Sequence, residues 1–193
     1  MNKIVCVTGL CGSGKSVVSD FLVNEKKFQF LRFGQITLDE IKKRGLETSE
    51  VLEKEIREDF RKQYGMAAYA ILNLPKLDDL IKLGNVVGDG LYSFEEYKVL
   101  KEHFGDSMSV IAVYSSPSMR YKRVAERELS VDDTDMRHRP LTVEQTKSRD
   151  MAELENLNKG ATIAMADYTI VNTKDKKYIL DQLNEIIKDI DEK

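Results

Sequence analysis

The segment VCVTGLCGSGKS, residues 5–16, constrains this chain more than any other, because a short apolar run passes directly into Gly9-Leu10-Cys11-Gly12-Ser13-Gly14-Lys15-Ser16. Those eight residues fit G-x-x-x-x-G-K-[ST], and they stand where the pattern has physical meaning, after a strand and at the opening of a helix. The glycines let the backbone turn its amides inward, so that successive N–H groups and the helix N-terminus can surround a polyphosphate. Lys15 adds a point charge for the β- and γ-phosphates, and the Ser16 hydroxyl is placed to bind magnesium. Kinases, switches and motors all use such a loop. The rest of the chain has to distinguish among them.

Apolar segments of strand length lie at residues 3–8, 85–88, 109–114 and 168–171, with a shorter one at 28–32. They are rich in Val and Ile and nearly continuous in apolar character, as strands buried on both faces are. Amphipathic stretches separate them, at about 15–25, 38–45, 50–64, 66–83, 93–104, 118–129, 142–158 and 176–191. This alternation predicts an α/β fold with helices on both faces of a parallel sheet. A length of 193 residues suits one such domain with small insertions. The segment SVDDTDMRHRP, residues 130–140, is polar and aperiodic and reads as an excursion from the core.

Charge and cysteine usage narrow the functional classes. Charged residues make up 33% of the chain but nearly cancel, at a net −3, so no long nucleic acid is expected as a partner. Cys6 and Cys11, five positions apart, suit neither a disulfide framework nor a zinc site, which points to a reducing cytoplasm. The first residues, MNKIVCVTG, read as a strand and not as a signal peptide, and no apolar run approaches the ~20 residues of a membrane span. The expectation is a soluble, cytoplasmic protein that meets no membrane.

A magnesium-nucleotide site takes a carboxylate from a neighbouring strand, and Asp89, closing Asn85-Val86-Val87-Gly88, is the best candidate. Its competing reading is a turn aspartate before Gly90. Positive charge for a moving phosphate is available from Arg57 and Arg61, at i and i+4, and from Arg120, Arg123 and Arg127, followed by Arg137, Arg139 and Arg149. Arg57 sits among Glu55, Glu58 and Asp59, so a solvated salt-bridge face is equally open for it. His103 reads as a helix-end cap before Gly105, and His138 lies between Arg137 and Arg139; neither has a metal-ligand partner at useful spacing.

Together with VTGLCGSGKS, the segments KRGLE, RKQYGMAA, VVGDGLYSFEE, SSPSMRYKRVAER, SRDMAEL and ADYTIVN resemble, in order and spacing, the nucleoside monophosphate kinase group of P-loop kinases. The nearest resemblance is to an archaeal-type adenylate-kinase-related family. It covers nearly the whole chain and implies a three-layer α/β/α domain over residues 1–193 around a five-stranded core, with an acceptor flap at about 34–74 and a lid at about 130–149. It implies ATP as donor, held by Gly9, Cys11, Gly12, Ser13, Gly14, Lys15, Ser16 and Val17, with magnesium on Ser16 and Asp89. It places Arg123 on the donor adenine, Asn172 beside the base, and Arg127 and Arg149 with Lys15 at the transferred phosphate. Gly34, Gln35, Arg57, Arg61, Gly90 and Tyr92 fall on the acceptor side, and a small phosphorylated acceptor such as a nucleoside monophosphate is the implied partner.

Two departures concern that acceptor. Where the kinases carry an arginine after the second strand, this chain has Leu38, in Gly34-Gln35-Ile36-Thr37-Leu38, and where another follows the aspartate-glycine pair it has Leu91-Tyr92-Ser93. A tyrosine offers one neutral hydrogen bond in place of a bidentate charged contact. Dephospho-coenzyme A kinases share the loop and the late AD-x-x-I-x-N pattern, here residues 166–172, but they need a base carboxylate near the second strand, and Leu31-Arg32-Phe33-Gly34 supplies none. Guanine specificity is not supported, since Asn172-Thr173-Lys174-Asp175 brings its acid one place too early for [NT]-K-x-D. A non-kinase ATPase or nucleotide-sensing module that keeps the donor site alone is the third reading.

Overall fold

The computed structural model describes residues 1–128 and 140–192. Its element order is β1 (Ile4–Thr8), α1 (Lys15–Asn24), β2 (Gln29–Arg32), α2 (Gln35–Lys43), α3 (Glu50–Tyr64), α4 (Ala68–Leu83), β3 (Val86–Asp89) and α5 (Phe94–Phe104), followed by β4 (Met108–Tyr114), α6 (Pro117–Ala125), α7 (Val143–Leu157), α8 (Lys159–Ala164), β5 (Tyr168–Val171) and α9 (Lys176–Glu192). The five strands are all parallel, in the order β2-β3-β1-β4-β5. The domain is an all-parallel α/β sheet with helices packed on both faces, as the apolar runs predict.

Period-two alternation along β1 divides the core. Val5 and Val7 face one layer, with Val18 and Leu22 of α1 and Ile179, Leu183, Ile187 and Ile190 of α9. Ile4 and Cys6 face the other, with Ala70 and Leu77 of α4 and Leu100 of α5. The α9 residues recur at helical spacing, so one stripe of that helix seals the sheet while its charged face meets water. Helix starts are legible in the sequence as capping boxes: Ser93 with Glu96 opens α5, and Thr142 with Gln145 opens α7.

Several boundaries differ from the sequence reading. The second helix begins at Gln35, three residues early, because Gly34 turns the chain immediately after β2. Helix α6 stops at Ala125 and not near residue 129, which leaves Arg127 beyond its end. The stretch after 157 is not loop: Asn158 adopts a left-handed conformation, φ 49°, that ends α7 and starts the unanticipated α8. His103 does not cap α5; its Nε2 is 2.8 Å from Asp78 on α4, and Gly105 N–H donates to Lys101 instead. Half of the expected lid, residues 130–139 with Arg137, His138 and Arg139, lies outside the described residues. Among those described, no helix is long and apolar enough to cross a membrane.

Candidate active site

Strand β1 is the pivot of the sheet, and the loop that follows it opens at the carboxyl ends of the strands, where parallel α/β sheets gather ligands. Two of its glycines are required by close approach. At φ 77° Gly12 lies against α6, and a Cβ there would stand 2.7 Å from the Arg120 carbonyl oxygen; at φ 102° Gly14 would press a Cβ to 2.2 Å from Asn172 Nδ2.

The loop is clamped from three sides. Arg120 Nη1 donates to the Cys11 carbonyl at 3.0 Å, and Asn172 Nδ2 donates to the Ser13 carbonyl at 2.8 Å. Lys15 Nζ donates to the carbonyls of Gly9 and Leu10, at 2.8 and 3.1 Å. Ser13 Oγ is buried with no hydrogen-bond partner, an orphan polar atom that a phosphate oxygen would satisfy. Strand register sets Asp89, 7% exposed, opposite Val7 of β1, and Ser16 lies in the first turn of α1. A hydroxyl and a carboxylate suit magnesium, which takes few protein ligands and completes its shell with water and phosphate oxygens. Among the described residues no group of three or more His, Cys, Asp or Glu could hold a metal by itself.

On the donor side, Arg123 spans the ends of β4 and β5: Nη1 donates to Ser115 Oγ at 3.1 Å and Nη2 to the Asn172 carbonyl at 3.2 Å. Arg127 follows α6 and is half-buried. Cys11 contributes its carbonyl to the clamp, and Val17 N–H donates to the Gly14 carbonyl at 3.1 Å.

Three residues that the sequence reading did not assign, Asp150, Glu153 and Lys159, organise the centre together with Arg120, which it listed only among the arginines available to a moving phosphate. Arg120 and Asp150, both buried, form an ion pair at 2.7 Å, which fixes α7 to the loop through the same guanidinium that holds Cys11. Glu153, also buried, receives Lys159 Nζ at 2.5 Å and Arg149 Nε at 3.0 Å. Burial opposes charge on Glu153, yet Lys159 and Arg149 hold its carboxyl down at about 2. Burial, then the nearby Lys159, lowers the Lys15 ammonium to about 8, so the loop lysine is short of counter-charge until an anion arrives. Asp150 and Glu153 lie in SRDMAEL and are an i, i+3 pair on one helix face, a spacing that was available in the sequence; Lys159 has no such signal.

The expected acceptor residues are only partly brought together. Gly34 and Gln35 open α2, with Gln35 Nε2 bonded to Asp39 at 3.2 Å. Arg57 pairs with Glu53 on its own helix at 3.1 Å. The Arg61 guanidinium lies 5.7 Å from the Tyr69 ring centroid, and its buried Nε has no hydrogen-bond partner. Tyr69 shares a 2.6 Å hydrogen bond with Thr37 and meets Tyr92 edge-on at 6.2 Å. Gly90, at φ 84°, turns the chain from Asp89 toward Tyr92.

A UPF0200 protein of Thermococcus onnurineus is 32% identical to this chain over 190 residues, covering 97% of each, and one of Sulfurisphaera tokodaii has the same identity and coverage. A protein-family model described as an AAA domain, AAA_18, matches residues 5–139. The chain belongs to the UPF0200 family and carries an AAA_18 domain. Among solved structures, this UPF0200 protein is similar to the shikimate kinase from Acinetobacter baumannii in complex with shikimate, with a TM-score of 0.59 at 18% identity over 98% of this chain and 93% of that one. It is also similar to a gluconokinase from Sinorhizobium meliloti, with a TM-score of 0.55 at 15% identity over 98% and 95%. The UPF0200 chain therefore has the fold of small-molecule P-loop kinases.

Glu96 gives this site a measurable pH signature. Its Oε2 accepts from Tyr92 and Ser93 N–H at 3.0 and 3.3 Å, while burial pushes its carboxyl up to about 7 against those bonds. A carboxyl raised in the folded state contributes stability that is full below its unfolded value of 4.5 and is lost as pH rises through about 7. Glu96→Gln keeps a capping-box residue and removes the titration. Relative to the unsubstituted protein, the variant should gain about 3 kcal/mol between pH 4.5 and pH 8. Urea melts at the two pH values measure this, and a constant difference rules it out.

Proposed function

We propose that this UPF0200 protein is an ATP- and magnesium-dependent phosphotransferase acting on a small phosphorylated acceptor of the nucleoside monophosphate class. The supporting observation is the convergence around one loop of a lysine short of counter-charge, an orphan Ser13 hydroxyl and a second cation, Arg149, near Cys11 and held at its Nε by Glu153. An anchored Nε leaves the two terminal nitrogens of Arg149 for other oxygens, the fork geometry suited to phosphate.

In this reading the loop and Lys15 hold the donor phosphates, and Ser16 and Asp89 hold magnesium. When bound, magnesium neutralises charge on the β- and γ-oxygens. Lys15, Arg149 and Arg127 stabilise charge on the transferred phosphoryl group. Arg123 and Asn172 border the donor base, and Gly34, Gln35, Arg57, Arg61, Gly90 and Tyr92 face the acceptor. Phosphoryl transfer to a phosphate needs no general base. That agrees with Arg32-Phe33-Gly34 at the end of β2, where a hydroxyl acceptor of the kind named for the shikimate kinase would call for a carboxylate.

The test is a coupled assay with ATP, magnesium and each ribo- and deoxynucleoside monophosphate. A diphosphate product from at least one acceptor is expected. ADP release independent of every acceptor would instead support the ATPase or sensing reading.

A further inference from the structure

The place of the arginine expected after Asp89-Gly90 is taken by Tyr92, and its surroundings are not those of an ordinary tyrosine. Its hydroxyl stands over the gap between the ends of β2 and β3: a Cβ on Gly34 would lie 3.5 Å from it, and one on Gly90 3.8 Å. That hydroxyl makes no hydrogen bond with any described residue, although the Tyr92 N–H is bonded to Glu96. Behind the ring, Lys159 Nζ lies 4.6 Å from the centroid. Lys159 is 1% exposed, and it is held against Glu153 at 2.5 Å. Arg61, whose guanidinium lies 5.7 Å from the Tyr69 ring that meets Tyr92 edge-on, has a buried Nε with no hydrogen-bond partner.

A cation on the face of a phenol draws electron density from the ring and makes the O–H a stronger donor, while adding positive potential on the far side. Lys159, Arg149 and Lys15 all face Glu153, with Asp89 also near Lys15 and Glu96 near Lys159. Lys15 serves the donor phosphates. The charge of Lys159 is directed at Tyr92, and a phosphate monoester brings about −1.5 to −2 charges at neutral pH to meet it.

We propose that Tyr92 and Lys159 act as one unit that anchors the phosphate of the acceptor. The Tyr92 hydroxyl makes the hydrogen bond, and Lys159 supplies the charge through the ring as a positioning residue. The unit replaces the missing arginine, and it makes the acceptor a phosphate monoester and not a neutral alcohol. It rests on the kinase reading above.

The test is isothermal titration of the full chain, saturated with magnesium and a non-hydrolysable ATP analogue, with AMP, CMP, GMP, UMP and the corresponding nucleosides. At least one monophosphate should bind about tenfold or more tightly than its nucleoside. Tyr92→Phe and Lys159→Met should each remove most of that preference, Tyr92→Phe while changing affinity for the ATP analogue less than about twofold, and the double variant should be little worse than either single. Lys159→Arg, which keeps a cation over the ring, should restore it. If Lys159→Met does not fold, Tyr92→Phe, which removes one oxygen atom, decides. Intact preference in the single variants, equal loss of donor affinity in Tyr92→Phe, additive losses, or no monophosphate binding to the unsubstituted protein would each overturn the anchor. Binding with the expected losses but no diphosphate product in the coupled assay would overturn the kinase reading and leave the anchor standing.

Discussion

Lys15→Met should lower phosphoryl transfer by about 10²–10³-fold or more, the loss that follows removal of one preorganised charge from a transition state. The same substitution should stabilise the nucleotide-free protein. Burial and the repulsion of Lys159 lower the Lys15 ammonium from 10.5 to about 8, so its charged form is disfavoured in the folded state. The sign follows from linkage: the fold bears this penalty below about pH 8 and is freed of it as pH rises toward 10.5. A melting temperature above that of the unsubstituted protein at pH 7, converging with it near pH 10, is the expected pattern. The advantage should vanish with saturating magnesium-ATP, which stabilises only the protein that binds it. Unchanged turnover would refute the role given to the loop.

Glu153→Leu should have the largest effect on stability. It leaves Lys159, 1% exposed, without the carboxylate that sits 2.5 Å away, and breaking a buried pair from one side costs about 3–5 kcal/mol. Removing both charges should be far milder: Glu153→Leu combined with Lys159→Met should recover most of the loss, because no lone buried charge remains. Denaturant midpoints for the two singles and the double measure this coupling. Acid adds an independent check. Since the Glu153 carboxyl is held at about 2, the stability it contributes is full above 4.5 and drains away as pH falls toward 2, and the Leu variant should lack that part of the acid transition. A double variant as unstable as the single would show that Glu153 matters by packing and not by charge.

Much of this molecule is legible without coordinates. The apolar runs at 3–8 and 109–114 can be nothing but buried strands, and the capping residues Ser93 and Thr142 announce their helices, so strand count, parallel sense and loop position follow from local chemistry. The centre of the site is less legible, because its residues come together only through the fold. Arg120 reads as one arginine among several on a helix, yet it reaches Cys11 across 109 positions of sequence. Lys159 reads as a surface lysine in a polar stretch, and it is buried because the left-handed turn at Asn158 starts a helix that no propensity announces. Tyr92 was visible as a departure from the kinase pattern, but the cation behind it was not, since Lys159 lies on a different element.

The bond from Asn172 to the Ser13 carbonyl joins residues 159 positions apart, and it bears on the order of events during synthesis. A nascent chain that has not yet delivered β5 has its phosphate loop translated but lacks this part of its clamp, since the amide that holds Ser13 and the carbonyl that receives Arg123 belong to the same late residue. The last strand therefore completes the loop's hydrogen bonding, and the final shape of a segment near the N-terminus is tied to the docking of one near the C-terminus.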